Sequence, residues 1–439
     1  MMNQVKLNNS IRSWVVIVSA SLFFLFAFIQ LNMPNTISSQ LMFSFSINTQ
    51  QLGILSSMYF FGYFIMLFPA GLLLDRYSVR KLIIFAMLLC IVSGFLFSLT
   101  ESVFYAGIYR FISGLSSAFA FLGCIRLALR WFPSQRKALV TGFISVMAMI
   151  GGIVVQTPME LFTTLFGWRV AMMIFSGAGI LIMPIIFLFV QDYPQGISST
   201  QIVHTDDEEK DKKKNIERLF LWENIHDVLF NKNNWLNGIY ASLMNLPIFV
   251  LGALWGSFYL VKVNHLTQAK ASTVISMIFF GTMVGAPFIG WISDYFKRRV
   301  LPMIIGSIIS ILIILDIIYF TNLSYMTLIC LFFLLGLFSS AQILSYPTVT
   351  ELNSPSITSS SVSIVSSLII AGGLIFQPLF GRLVNLNGGY GVVNSAVNNI
   401  AVYSIGNFRL AMWIIPIGFI ISLITAFFIR ETYCQKQVN

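Results

Sequence analysis

The segment GLLLDRYSVRK, Gly71 to Lys81, places one acid and three bases directly after a long apolar run. A second segment, GWISDYFKRR from Gly290 to Arg299, nearly repeats it and keeps the same interval between glycine and aspartate. Charge is scarce elsewhere, since 10% of the residues are charged and 57% are hydrophobic. The two segments therefore mark corresponding places in a chain whose composition suits an apolar environment.

The whole chain has the composition of a membrane protein. Its 439 residues have a mean hydropathy of +0.84, and an apolar run of about 20 residues crosses a bilayer as a helix that satisfies its own backbone groups. We expect the first run to be a retained helix and not a signal peptide, because it is too long. We predict an all-α membrane protein with twelve transmembrane helices near residues 14–33, 51–74, 82–99, 104–128, 138–160, 169–190, 235–261, 272–292, 301–320, 325–347, 357–380 and 408–429.

The basic residues predict how the chain crosses the membrane. Of the 26 lysines and arginines, 19 fall in the N-terminal leader, the even-numbered connections and the C-terminal tail. Basic residues accumulate on the cytoplasmic side of a membrane. We therefore expect both termini in the cytoplasm, and we interpret the net charge of +10 as topological and not as a sign of nucleic-acid binding.

The sequence gives no support for an enzyme or a metalloprotein. It contains no HExxH, CxxC or GxxxxGK[ST] motif, and its four cysteines and three histidines are widely spaced. Those motifs would indicate metal sites, redox pairs or phosphate-binding loops. We predict no cofactor, no metal, no catalytic residue and no disulfide framework.

The chain divides into two similar parts around one polar interruption. We predict a six-helix bundle over residues 1–190, a cytoplasmic linker with a helix on the membrane surface over 191–234, and a second six-helix bundle over 235–439. GGIVVQTP from Gly151 and GGLIFQP from Gly372 are 221 residues apart, close to the interval between the two opening segments. This repetition indicates a duplicated unit whose copies are related by an axis along the membrane normal.

Four motifs in corresponding order resemble signatures of the major facilitator superfamily of secondary transporters. GLLLDRYSVRK resembles its loop between spans two and three, with Ser78 where glycine is usual, and GWISDYFKRR resembles the copy between spans eight and nine. RFISG from Arg110 resembles the span-four signature, and FGWR from Phe166 resembles the entry to span six. The resemblance covers the whole chain and implies two pseudo-symmetric bundles that alternate around a central site.

A narrower resemblance, to one branch of transporters, indicates which solute is carried. FIQLNMPN, FLGCIRLALRWFP and AMIGGIVVQTP look like segments of the phagosomal nutrient transporters of intracellular bacteria. This branch implies uptake of amino acids and, in some members, of nucleosides. We expect import of an amino acid across the bacterial inner membrane, coupled to protons, with a monomer sufficient because one chain holds both bundles. Nucleoside uptake and siderophore or drug export remain alternatives within the fold, and a sensor that signals through 191–234 is a rival of another class.

The opening segments are candidates for a latch. A carboxylate at a cytoplasmic helix end can meet the positive N-terminus of a helix from the other bundle, and nearby bases can pair with acids or lipid phosphates. Such contacts would hold in one position of the bundles and break in the other; the bases could instead serve only as topology anchors. The latch residues are Gly71, Asp75, Arg76, Arg80, Gly290, Asp294 and Arg298.

Charged and amide side chains inside the spans are candidates for the solute site. A charge in a membrane costs at least about 2.5 kcal/mol unless it faces a partner or a wet cavity, which singles out Arg110 for substrate and Glu160 for proton coupling. Gln156 and Gln377 follow the two GG pairs, and they could bind a small zwitterion or hold helices together. The remaining candidates are polar or aromatic residues on spans that line the cavity in the superfamily: Gln30, Tyr59, Tyr63, Asn245, Trp255, Tyr259, Gln342 and Tyr346.

Overall fold

The computed structural model describes residues 2–132, 136–193, 230–320, 323–354, 358–386, 392–393, 400–401 and 404–435. Apart from one two-stranded antiparallel pair, β1 (Val392–Val393) with β2 (Ile400–Ala401), the regular structure in these ranges is helical. The helices are α1 (Met2–Phe45), α2 (Thr49–Arg76), α3 (Val79–Leu99), α4 (Val103–Trp131), α5 (Lys137–Phe166), α6 (Trp168–Phe189), α7 (Lys232–Val263), α8 (Gln268–Phe296), α9 (Val300–Tyr319), α10 (Tyr325–Leu352), α11 (Thr358–Val384) and α12 (Ile405–Phe428).

The described residues contain twelve helices that are long and apolar enough to cross a membrane, which confirms the predicted fold class and helix number. Polar residues begin several of them by accepting a backbone N–H, as Asn48 does before α2 and Thr267 does before α8. The helices form a first half, α1–α6, and a second half, α7–α12. The predicted surface helix of the linker lies outside the described residues.

Helix α1 is longer than its sequence predicts. The apolar run predicts its end near residue 33, yet the helix continues through Pro34 to Phe45. Proline removes one backbone N–H and leaves the carbonyl four residues earlier without its helical partner. That carbonyl belongs to Gln30, and it accepts a hydrogen bond from Arg110 Nη1 at 2.6 Å. A side chain from α4 therefore allows the helix to pass through the proline.

Two helices of the second half are irregular in their interior. In α7, an α-helical segment ends at Met244 and a π-helical segment covers Pro247–Trp255. In α10, a 3₁₀ segment covers Ser340–Leu344. Such irregularities leave backbone groups outside the usual ladder and are frequent at functional sites.

The two halves repeat the same helix crossing. A Cβ added to Gly114 of α4 would lie 1.9 Å from the Tyr59 carbonyl oxygen of α2, and one added to Gly336 of α10 would lie 2.1 Å from the Ile278 carbonyl oxygen of α8. Backbones approach this closely only where a glycine leaves room. The repeat detected in the sequence is therefore present as a repeat of packing.

Candidate solute site and gates

The helix ends fall into two groups, which we name by their charge. The basic end contains residues 76–81, 130–132, 190–193, 296–300 and 430–435, and the distal end contains residues 45–49, 99–103, 166–168, 263–268, 319–320 and 404–405. The contacts between the two halves differ between the distal end and the basic end, and this difference defines the conformation of the molecule.

Side chains join the halves in the distal part of the bundle. Asn35 donates from Nδ2 to Ser257 Oγ at 3.1 Å and accepts from the Ser257 backbone N–H at 3.0 Å. Gln156 Nε2 donates to the Gly252 carbonyl at 3.1 Å. We call these contacts the distal seam, which further includes Thr36 with Gln268, Thr49 with Gly381 and Thr157 with Thr273.

At the basic end, Gly71 and Gly290 do not contact the described residues of the other half. Gly71 lies eleven residues beyond Phe60, which is about three helical turns, so both face the same side of α2. At Phe60 the halves are in contact, because a Cβ on Gly373 of α11 would lie 2.4 Å from the Phe60 ring, whereas a Cβ on Gly71 would meet no atom within 4 Å. Gly290 of α8 is equally open. The molecule is therefore joined at its distal end and parted at its basic end.

Arg110 is buried in the first half without an acidic partner among the described residues. Its side chain is 3% exposed, it donates to the carbonyls of Gln30 and Leu31, and it lies 5.0 Å over the Tyr59 ring. Its Nε has no acceptor. Gln30 Nε2 donates to Ser176 Oγ at 3.3 Å, and Tyr59 donates to the Ala27 carbonyl. This group, Gln30, Tyr59 and Arg110, is the arginine cluster.

The two predicted amides bind the same π-helical segment. Gln156 Nε2 donates to the Gly252 carbonyl, and Gln377 Nε2 donates to the Phe249 carbonyl at 2.7 Å. Gln156 Oε1 accepts from Asn35, whereas Gln377 Oε1 is buried without a partner. In this conformation both amides hold helices together, one across the halves and one within the second half.

Two other candidates meet at the helix irregularities of the second half. Gln342, in the 3₁₀ segment of α10, donates to Asn245 Oδ1 at 2.8 Å, where the first segment of α7 ends. Tyr346 follows on the next turn of α10 and is half-buried, and Tyr63 of α2 is buried in the first half.

The last two aromatic candidates are held inside the second half. Trp255 donates to the Gln377 carbonyl at 3.1 Å and stacks on Phe380. Tyr259 donates to the Ile317 carbonyl of α9 at 3.4 Å. Both side chains are fully buried, so their positions in this conformation are those of packing residues.

Glu160 lies one turn beyond Gln156 on α5, toward the distal end. It is 5% exposed, and its Oε2 atom is buried without a hydrogen-bond partner. The neighbouring hydroxyl of Thr163 is also buried without a partner. The described residues hold no group of three or more His, Cys, Asp or Glu that could bind a metal ion.

In the first half, one predicted latch residue, Arg80, bonds within its own half. The Arg80 side chain donates to the Phe187 carbonyl of α6 and lies 4.8 Å from the Phe187 ring. The Arg80 backbone N–H and the Ser78 hydroxyl both donate to Asp192, at 2.9 and 2.5 Å. Arg76 is exposed, and the side chain of Asp75 lies outside the described part of the structure.

In the second half, a buried arginine organises the basic end. Arg299 binds Asp294 at 2.6 Å and Glu351 of α10 at 2.8 Å. Burial by itself lowers the pKa of Arg299, but its hydrogen bonds and charge pairing with Glu351 and Asp294 outweigh burial and raise that pKa above its ordinary value. Glu431 accepts the backbone N–H of Arg299 and that of Val300. Asp294 therefore pairs within its own half in this conformation, and Arg298 is exposed.

Several of these residues have no signal in the sequence that identifies them. Asn35 falls outside the predicted first span, which ends near residue 33. Ser257 is a small polar residue in an apolar run. Asp192 and Glu431 each follow the last helix of a half, and this equivalence is recognisable only once the repeat is known.

Comparisons with known proteins agree with this architecture. A family model described as the Major Facilitator Superfamily matches residues 18–256. The chain is 22% identical over 262 residues to a probable hexose phosphate transport protein of Chlamydia pneumoniae, covering 56% of this chain and 57% of that protein. It is 26% identical over 289 residues to the probable galactarate/D-glucarate transporter GudP of Bacillus subtilis (strain 168), covering 59% and 61%. Both matches span less than two thirds of the relative.

A solved structure shares the fold over nearly the whole chain. It is a bacterial homologue of the human lysosomal transporter Spinster in an inward-facing, unoccupied conformation. The TM-score is 0.74 at 16% identity, covering 95% of this chain and 96% of that one. At this identity the likeness concerns the fold alone.

Proposed function

Because the chain belongs to the Major Facilitator Superfamily and is a secondary transporter of that kind, we propose that it imports a small polar solute bearing one carboxylate, with amino acids as the first class to test. The observation that carries this proposal is Arg110. It is the one buried lysine or arginine inside a helix of the described part, it has no acidic partner there, and its Nε has no acceptor. A single buried cation suits a single carboxylate.

The relatives support an anionic solute and broaden its class. Their names specify hexose phosphates and the sugar acids galactarate and D-glucarate. Hexose phosphates and these diacids carry two negative charges, for which one buried arginine is a poor match. The phagosomal nutrient branch predicted from the sequence stays a prediction, and sugar acids are the second class to test, ahead of nucleosides or drug export.

The arginine cluster suggests how solute binding would reach the gate. A solute carboxylate would compete with the Gln30 and Leu31 carbonyls for Arg110, because a charged acceptor binds a guanidinium more strongly than a neutral one. Release of those carbonyls would loosen α1 at Pro34. Asn35, the next residue, holds the distal seam. Solute binding and distal opening would thus be coupled through one helix, and this coupling is part of the proposal.

Glu160 is our candidate for the proton site. Buried without a partner beside the seam, it is tolerated there as the neutral acid. Losing the proton would leave an uncompensated carboxylate and favour reopening of the distal end, where water could reach it. We place the basic end in the cytoplasm, following the distribution of basic residues, so that the present conformation faces inward. A monomer in the bacterial inner membrane would suffice.

The test is solute counterflow in proteoliposomes with a panel of amino acids, glucarate, glucose 6-phosphate and nucleosides. We expect a monocarboxylate to be carried, and Arg110→Gln to reduce its flux at least about tenfold, a loss of about 1.4 kcal/mol, while Arg110→Lys keeps part of it. Arg169→Gln is the matched control, because Arg169 also donates to carbonyls but lies at the distal end.

Other outcomes would overturn the proposal. Transport of nucleosides alone, or full flux in Arg110→Gln with the wild-type solute preference, would contradict the role of the arginine. Binding of a solute without any flux would favour the sensor.

A further inference from the structure

Two phenylalanines make reciprocal contacts across the halves. Phe60 on α2 and Phe279 on α8 are 219 residues apart, the same interval as Gly71 and Gly290. A Cβ added to Gly373 of α11 would lie 2.4 Å from the Phe60 ring, and one added to Gly152 of α5 would lie 2.5 Å from the Phe279 ring. Each half therefore places one ring against the second glycine of the other half's GG pair.

Both rings lie deep inside the molecule. Phe60 is 1% and Phe279 0% exposed. Phe60 also packs on Phe249 of the π-helical segment, with ring centroids 4.9 Å apart. Phe279 packs against the same segment, because a Cβ added to Gly252 would lie 2.7 Å from its ring. The GG pairs of the sequence thus have a use beyond helix packing within a half.

The two rings mark the level at which the molecule changes from joined to parted. Each lies about 16 Å from the distal end of its helix, at 1.5 Å per residue. The distal seam lies on one side of this level. On the other side, three turns along the same faces, Gly71 and Gly290 have no atom within 4 Å of an added Cβ.

We propose that Phe60 and Phe279 are the two bearings about which the halves rotate, and that both ring–glycine contacts persist when the basic end closes and the distal end opens. The distal seam and the ring–glycine contacts differ in chemistry, so we expect rotation to affect them differently. The seam consists of directional hydrogen bonds, which rotation breaks. A ring against a backbone without side chains makes only dispersion contacts, which tolerate a change of tilt. One bearing lies in each of the two interfaces, α2 with α11 and α8 with α5.

The bearings would act in the same way for any solute and with any role of Arg110, provided that the halves move relative to each other. If rotation by about 15° occurs around the bearings, a point about 16 Å from them moves by about 4 Å, within the range known for such rearrangements.

Distances between spin labels at three levels of α2 and α11 test the proposal in lipid nanodiscs, measured by pulsed electron paramagnetic resonance. The pairs are Gln50 with Arg382 at the distal end, Phe61 with Ile375 at the bearing, and Leu72 with Ser363 toward the basic end. Phe61, Leu72 and Ile375 are exposed. Each pair is compared between a Thr157→Cys, Thr273→Cys form, cross-linked before labelling so that the seam stays closed, and an Asn35→Ala, Gln156→Ala form, which weakens it.

We expect the distal distance to lengthen and the basic distance to shorten by about 4 Å in the seam-weakened form, while the bearing pair changes by less than half as much. A bearing pair that changes as much as the others would overturn the proposal, since the axis would then lie elsewhere. Equal distances in the two forms at all three levels would overturn it too, because weakening the seam would then release no rotation. Solute transport is not needed for this readout, so it stays separate from the test of the proposed function.

Discussion

At the scale of single residues, burial without compensation distinguishes functional candidates from packing residues. Arg110 and Glu160 are both buried in helices and lack a partner of opposite charge among the described residues. Trp255 and Tyr259, equally buried, satisfy their polar atoms with backbone carbonyls. Because a buried unpaired ionisable group is expensive, its retention is best explained by a partner that arrives during function, a solute for Arg110 and a proton for Glu160.

Replacing Glu160 by glutamine should uncouple transport from the proton gradient. Glutamine resembles the neutral acid, so solute exchange should continue, but accumulation against a gradient should be lost. A potential of about 100 mV acting on one charge is worth about 2.3 kcal/mol, or roughly fifty-fold accumulation. Uptake is measured with and without an imposed proton gradient, with Glu101→Gln as the control because Glu101 is an exposed acid at the distal end. Gradient-driven accumulation by Glu160→Gln at the wild-type level would exclude this role.

At the scale of helices, the regular segments could be predicted from the sequence and the irregular segments could not. The apolar runs predicted all twelve helices, because length and hydropathy are sufficient for a transmembrane segment. They did not predict that α1 passes through Pro34 to Phe45, since the group that makes this possible, Arg110, is eighty residues away in the chain. The π segment of α7 and the 3₁₀ segment of α10 also depend on contacts between helices, so their positions could not be predicted locally.

Pro34→Ala should separate the stability of α1 from its function. Alanine restores the N–H that the Gln30 carbonyl lacks and is a far better residue inside a helix, by about 3 kcal/mol in model hosts. We expect unchanged or raised thermal stability together with slower solute turnover, because Arg110 loses its acceptor and Asn35 is reoriented. Pro184→Ala in α6, at an exposed position, is the control. Turnover equal to wild type in Pro34→Ala would argue against coupling through α1.

Gly114→Ala and Gly290→Ala should differ in stability although both alter a motif residue. At Gly114 the new Cβ would lie 1.9 Å from a backbone oxygen of α2, whereas at Gly290 it would meet nothing within 4 Å. Overpacking typically costs about 1–3 kcal/mol, so Gly114→Ala should melt several degrees lower in detergent and Gly290→Ala should not. Equal melting temperatures for the two variants would contradict the close crossing of α2 and α4.

At the scale of the whole molecule, the repeat in the sequence predicted the symmetry but not the conformation. Motifs at intervals near 220 residues predicted two equivalent bundles, and the crossings at Gly114 and Gly336 have this equivalence. Which end is closed depends on hydrogen bonds between residues such as Asn35 and Ser257, which are unremarkable in the sequence. The latch residues Arg80 and Asp294 bond within their own halves here, as expected if a cross-half latch belongs to the other conformation; their gating role stays a prediction.

The central claim is that transport requires the distal seam to open while the basic end closes. Its most direct test is a cross-link between Thr157→Cys and Thr273→Cys, whose side-chain hydroxyl oxygens lie 3.5 Å apart across the halves in the wild type, with exposed Cys330 replaced by serine. Single-cysteine variants are the controls. We predict that the cross-linked protein carries no solute in proteoliposomes and that reduction restores the flux. Full solute flux through the cross-linked protein would contradict alternation between the two ends.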